Sequence, residues 1–434
     1  MRLECRRLSG DAPPERVLTL LDARARRLGL PQPAALIGDW FGSRAVLAPT
    51  VAITPVFGVD EAFAIPASTY PIPAADGAIG GGWFGYLGYD LTDPSRRAGP
   101  LPAAAWGWAD HVLRLDRHGQ WWFEALVGET EPRPDPGVLA DELGALLAQP
   151  AQDAVSACWT PVTLRRPDGG THTKAVRACI DAIEAGELFQ ANICSRFHGV
   201  FDGSAAALFA EGVRTLRPRR GAYLAGDWGT VVSLSPELFL AREGRLVRST
   251  PIKGTLPRRG RSDDGNAELL RRSEKDVAEN VMITDLVRND LGRVSAVGTV
   301  TVPELLTVTE APGVWHLEST VQGRLADGID DADLLRAAFP PGSVTGAPKL
   351  RALDEIAELE PHPRGVYCGA AGLASPVAGM ALNVAIRTFE LAAGTIALGV
   401  GGGITALSDP ELEWQECLHK AAPLEKLLRA DGRN

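Results

Sequence analysis

Lys253 stands in the stretch STPIKGTLPRR (residues 249–259), between a proline-isoleucine pair and a Gly-Thr turn. An amine is a nucleophile only when neutral, so its pKa must fall from about 10.4 towards roughly 7–8 before it can attack carbon. The residues before it read as a strand, Pro251 suits a strand end, and Gly254 permits a tight turn. Lys253 is therefore expected at a strand-to-loop junction, where scaffolded chemistry is often placed. The usual fate of such a lysine is a solvated cation, so the rest of the chain must supply a reason for a reactive one.

Acids supply part of it. KDVAEN puts Asp276 and Glu279 on one face of a helix, and ELEWQE does the same for Glu413 and Glu416. Either pair alone reads as a solvated helix face; together they suit Mg²⁺, which takes hard oxygen ligands and keeps several waters. GSVTGAPK (342–349) lacks the spacing of a phosphate loop, but its backbone N–H groups, with Lys349, could hold a carboxylate. Arg387 lies in the apolar stretch NVAIRT and needs an anionic partner, from protein or substrate. Glu237 in SLSPELFL and His316 in VWHLEST are each ambiguous alone, and Gly401 to Gly403 let backbone or ligand approach closely.

These residues need elements to hold them. Val176, Ile180 and Ile183 give a helix beginning near Thr171, followed by a strand in LFQANICSRF. A hairpin turns at Glu243 and Gly244, and one long helix is expected over 268–291 with Val277, Val281, Met282, Leu286 and Val287 as its apolar stripe. Arg387 falls within an expected strand, and the C-terminal third alternates helices with strands. The order is that of an α+β layered fold. Residues 1–155 read as short strands and proline-rich loops with no assignable chemistry.

Composition excludes several classes. The chain has 434 residues, 45% hydrophobic, and a formal charge of −10, which argues against a nucleic-acid partner held by bulk charge. GGGWFG (80–85) is not followed by a helical pattern, so it is no dinucleotide site. Cys5, Cys158, Cys179, Cys194, Cys368 and Cys417 show no metal spacing, and neither a signal sequence nor a membrane span is visible. A soluble protein of the reducing cytoplasm is expected.

In order along the chain, LFQANICSRF, LSPELFL, PIKGTLPR, KDVAENVMITDLVRNDLGRV, FPPGSVTGAPKLRALDEIAELEP, NVAIRT and GGGITALSDPELEWQE resemble the chorismate-utilising enzymes. That family includes anthranilate synthase component I, aminodeoxychorismate synthase component I, isochorismate synthase and salicylate synthase. The resemblance covers about residues 170–430, with GGWFGYLGYD as a weaker link. It implies a layered α/β/β/α sandwich of two interleaved subdomains, with an N-terminal subdomain at 1–155 and a chorismate-binding catalytic domain at 160–430.

It further implies that Glu279 and Glu416 hold Mg²⁺, with Asp276 and Glu413 holding its waters. Arg387, Gly402 and Gly403 would bind the enolpyruvyl carboxylate; Thr255, His316, Thr345 and Lys349 would complete the substrate pocket; and Glu237 would be the general acid at the C4 hydroxyl. Gln190 stands where isochorismate and salicylate synthases carry a lysine base, which disfavours both. PIKGT, rather than PIAGT, resembles the aminodeoxychorismate-forming branch, in which Lys253 is the nucleophile and Mg²⁺ and Arg387 favour its neutral form. The alternatives are anthranilate synthase component I and a non-catalytic chorismate-binding protein. No cysteine stands in a G-x-C-x-G elbow, so ammonia is expected from a separate glutamine amidotransferase. Gly372-Leu373 departs from the Gly-Tyr of many relatives.

Overall fold

The computed structural model describes residues 1–68, 71–73, 77–128, 135–149, 159–258 and 260–429. The expected boundary at 155, Cys158, Arg259 and part of the loop at 131–137 lie outside the described residues. Alternating side chains build two sheets. In the Ala34–Trp40 strand, Ala35 and Ile37 join one apolar cluster while Ala34, Leu36 and Trp40 join another. The first cluster lies between an eleven-stranded sheet and helices such as Pro14–Leu28, Ala205–Leu216 and Pro410–Arg429. The second fills the space between that sheet and a ten-stranded one. A third joins the ten-stranded sheet to helices including Glu274–Gly292 and Asp331–Ala338. The expected α/β/β/α layering is present, and strands from both halves of the chain share both sheets. Leu373, at the departure from Gly-Tyr, is fully buried between the sheets.

Of the passages between the sheets, two lie side by side. Gly229–Ser235 belongs to the eleven-stranded sheet and the next strand, Leu238–Glu243, to the other. Gly379–Val384 and Thr388–Ala392 make the reverse passage. The passages are tied to each other: Val384 N–H donates to Glu237 O at 3.1 Å, Leu234 N–H to Arg387 O at 3.0 Å, and Ser235 Oγ to Val384 O at 2.6 Å. Arg387 is thus not inside a strand, as expected, but at the break between two, with φ of +50°.

Three further expectations are corrected. The helix over 268–291 is two helices, Asn266–Arg272 and Glu274–Gly292, separated by Ser273, whose hydroxyl accepts from Asp276 N–H and caps the second. Its buried face overlaps the expected stripe only in part: Val287 is buried and Leu286 packs on the core, but Glu279, Asn280, Thr284 and Asp290 are buried with Ile283 and Leu291, whereas Val281 is 45% exposed. The helix near Thr171 begins earlier, at Gly169, after Asp168.

Lys253 lies inside a strand, Ile252–Pro257, rather than at its end. Ile252 pairs with Glu318 and Thr255 with His316, so this strand carries one residue more than its partner, a β-bulge at Lys253 and Gly254. Gly254 has φ of +93°, and an added Cβ would lie 2.9 Å from Leu270 Cδ1 and 3.0 Å from Asp276 Cβ. Gly254→Ala is expected to cost about 1–3 kcal/mol in denaturant melts, from left-handed backbone strain and this contact. Gly244→Ala, at φ of +54° with open space around it, should cost less. Equal losses would mean that the bulge is not under steric constraint.

Candidate active site

The crossovers put Glu237 and Arg387 in the interior. Glu237 is 3% exposed and accepts from Ser343 Oγ at 2.5 Å. Burial pushes its pKa up to about 7, against the pull of the Ser343 hydroxyl and the Lys253 charge. A carboxyl titrating there can both hold and release a proton near neutrality. Among the described residues the Arg387 guanidinium makes no side-chain hydrogen bond or ion pair; burial lowers its pKa and Glu237 opposes this. An arginine so placed is a ready partner for an anion.

His316 Nδ1 lies 2.9 Å from Thr255 Oγ1, and its buried Nε2 has no partner. Burial, with Arg387 and Arg219 nearby, lowers the His316 pKa to about 3, so the ring is neutral. Thr345 is fully buried; its hydroxyl donates to Pro341 O at 2.9 Å, and its carbonyl accepts from Asn192 N–H at 2.8 Å. Gln190, at the start of the Gln190–Val200 strand, is 1% exposed and leaves Oε1 unpartnered.

The floor is the strand Thr395–Ile404, in which Gly403 pairs with Asn192 and Gly402 with Ile193. A Cβ on Gly403 would lie 2.1 Å from Gln190 Nε2 and 3.0 Å from Lys253 Nζ; one on Gly402 would lie 3.2 Å from Glu413 Oε2. The glycines are therefore the space into which the amide, the amine and the acids reach.

Both acid pairs arrive here. Glu279 and Glu413 are 7% and 3% exposed, and Lys253 Nζ lies 4.0 Å from Glu279 Oε2. Glu413 Oε1 accepts from Lys275 Nζ at 2.9 Å and Ser408 Oγ at 2.7 Å. Burial raises the Glu279 pKa, partly offset by Lys253 and Lys275. Glu416, whose side chain is half exposed, pairs through Oε1 with Lys420 Nζ at 2.8 Å, which holds its pKa down against partial desolvation. Asp276 packs against Gly254. Lys349 is not brought to this cluster: its Nζ donates to Asp290 Oδ2 and Ala338 O, both at 2.7 Å.

Among the described residues no three acid, imidazole or thiol groups converge into a metal cage. A hydrated Mg²⁺ needs only one or two carboxylates, and Glu279 Oε1 and Glu413 Oε2 are buried with no hydrogen-bond partner. That donor set fits such an ion. Sequence reasoning missed Lys275, Lys420 and Ser343, although Lys275–Glu279 and Glu416–Lys420 have the four-residue spacing of helical ion pairs.

The chain matches the family model of the chorismate binding enzymes over residues 52–426. It is 37% identical over 360 residues to aminodeoxychorismate synthase component 1 of Salmonella typhimurium, covering 81% of this chain and 77% of that one. It is also 37% identical to anthranilate synthase component 1 of Streptomyces coelicolor, covering 84% and 76% respectively. The crystal structure of anthranilate synthase component I from Streptococcus pneumoniae superposes with a TM-score of 0.74 at 24% identity, over 98% of this chain and 92% of that one.

The Glu237 carboxyl gives a test independent of substrate. Its folded pKa lies above the 4.5 of a free glutamate, so its contribution to stability is complete below pH 4.5 and is lost as pH rises towards 7. The loss is about 3 kcal/mol at most, from 1.36 kcal/mol per unit. Glu237→Gln should therefore melt higher than the wild type at pH 8 and close to it at pH 4.5. A difference that does not grow with pH would mean that the carboxyl is not held protonated.

Proposed function

The chain belongs to the chorismate binding enzymes, and we propose that within this family it is an aminodeoxychorismate synthase component I. It would convert chorismate and ammonia to 4-amino-4-deoxychorismate on the route to p-aminobenzoate and folate. The observation that carries the reading is Lys253, which the bulge presents beside Gly403 and 4.0 Å from Glu279, in the same site as Glu237.

In this mechanism the neutral Lys253 amine forms a bond to C2 of the ring as the double bond shifts and the C4 hydroxyl departs. Glu237 supplies the proton that makes the leaving group water, a task suited to an acid with a pKa near 7. Ammonia then bonds to C4, the double bond returns and Lys253 leaves from C2. Arg387, with no protein partner among the described residues, would hold the enolpyruvyl carboxylate, backed by Gly402 and Gly403. Neutral His316, Thr255, Thr345 and Gln190 would line the ring pocket. Glu279 and Glu416 would hold Mg²⁺, with Asp276 and Glu413 on its waters; when bound, it would neutralise the ring carboxylate. Lys349, engaged with Asp290, acts in this reading as a brace for the loop bearing Ser343. The name "component 1" borne by relatives supports a partner, which we take to be a glutamine amidotransferase delivering ammonia. Among the described residues no helix is long and apolar enough to cross a membrane.

With chorismate, Mg²⁺ and ammonium, the purified chain should give an aminated product without pyruvate. Anthranilate with equal pyruvate would instead establish the anthranilate synthase reading, which similar relatives make the principal alternative. Without ammonia, chorismate should leave a covalent adduct visible by intact mass. Lys253→Ala should abolish it, and an adduct that survives would exclude Lys253 as the nucleophile.

A further inference from the structure

The acids of the site come from two helices, Glu279 from Glu274–Gly292 and Glu413 from Pro410–Arg429. One amine serves both. Lys275 Nζ donates to Glu413 Oε1 at 2.9 Å and stands 4.0 Å from Glu279 Oε1, beyond hydrogen-bonding distance. The lysine therefore neutralises the pair without satisfying it, and Glu279 Oε1 and Glu413 Oε2 remain buried without partners. Such orphaned oxygens are costly, and another cation placed between them would relieve the cost.

The other amines each contact an acid of one helix only. Lys420 is bound to Glu416 Oε1 and to Gly401 O, at 2.8 and 2.9 Å. Lys253 lies against the other oxygen of Glu279. Among the described residues, Lys275 alone makes ion-pair contacts with acids of both helices. Its side chain is 40% exposed and sits in the first turn of its helix, so it can turn to water without opening the core. Four carboxylates, Asp276, Glu279, Glu413 and Glu416, face three amines, Lys253, Lys275 and Lys420. A divalent ion entering beside all three amines reverses the local sign; withdrawal of Lys275 limits the repulsion.

We propose that Lys275 is a tethered counter-ion: it holds the acids of the two helices together when no divalent cation is bound, competes with that cation for them, and so sets its affinity. The inference rests on the Mg²⁺ reading of these acids. Lys275 is a positioning residue, acting through Glu279 and Glu413. If it were instead a plain brace, its removal would let the acids separate and weaken metal binding; a competitor's removal has the opposite sign.

Mn²⁺ is the probe, titrated into the full chain and followed by the electron paramagnetic resonance of the free ion, with Mg²⁺ as competitor. Lys275→Met and Lys275→Gln should bind Mn²⁺ about tenfold tighter than the wild type, as expected for removing one screened charge a few ångströms from a divalent ion. Lys275→Arg should stay near wild type. Without metal, the two neutral variants should melt lower than the wild type, and saturating Mg²⁺ should erase the difference. Circular dichroism identifies a misfolded variant, and either neutral substitution suffices. Unchanged or weaker Mn²⁺ binding by folded neutral variants overturns the inference while leaving the metal reading intact. A wild type that binds no Mn²⁺ displaceable by Mg²⁺ overturns both.

Discussion

The site depends on two adjacent places where the chain passes from one sheet to the other. At each passage the backbone must leave its strand register, and the three bonds among Leu234, Ser235, Glu237, Val384 and Arg387 satisfy the groups so released. Their consequence is chemical. Glu237 and Arg387 occupy these points, one on each passage, so topology buries a carboxyl and sets a guanidinium close enough to feel its charge. The cost is carried by the sheets on either side, whose apolar clusters contain most of the large buried side chains.

Charge compensation governs the other half of the site. Glu279 and Glu413 are too deeply buried to rely on water, and the amines near them are all lysines. A lysine presents a compact charge on a flexible stem, and its single ammonium leaves other carboxylate oxygens of the cluster without partners. The acids are thus left partly unsatisfied, which is the feature on which the proposed Mg²⁺ reading rests. The buried arginines Arg196 and Arg364 illustrate the contrast: each is bonded to a buried glutamate and to backbone carbonyls, and each fixes structure.

Much of the site was legible from spacing and residue type. The helical acid pairs and the glycine run fall on the elements where local pattern placed them, because each depends on neighbours within one element; Lys253 does not, since the bulge that carries it is set by pairing with a distant strand. The reading failed where burial runs against polarity. Glu274–Gly292 buries Glu279, Asn280, Thr284 and Asp290, so of the stripe drawn on Val277, Val281, Met282, Leu286 and Val287 only the last two reach the apolar core. Ser273 was hidden because strong helix formers surround it on both sides. The pairing of Lys349 with Asp290 joins residues far apart in sequence, and only the fold brings the acid under that loop. Nor could local pattern show that Ala34–Trp40 pairs with Arg220–Gly226, the contact by which the first segment joins the catalytic sheet.

On the proposed reading, the bulge at Lys253 is where one chemistry would part from another on this scaffold. One extra residue in Ile252–Pro257 lets Lys253 reach the space over Gly403, while Gly254 absorbs the positive φ and allows the strand to lie against Asp276. The same backbone with a short apolar side chain at that position would still present Glu237, Arg387 and the acids to a substrate. It would lack only the amine. In the proposed reaction the scaffold would supply binding and proton transfer, and a single side chain at the bulge would decide whether a covalent bond to the protein is part of it.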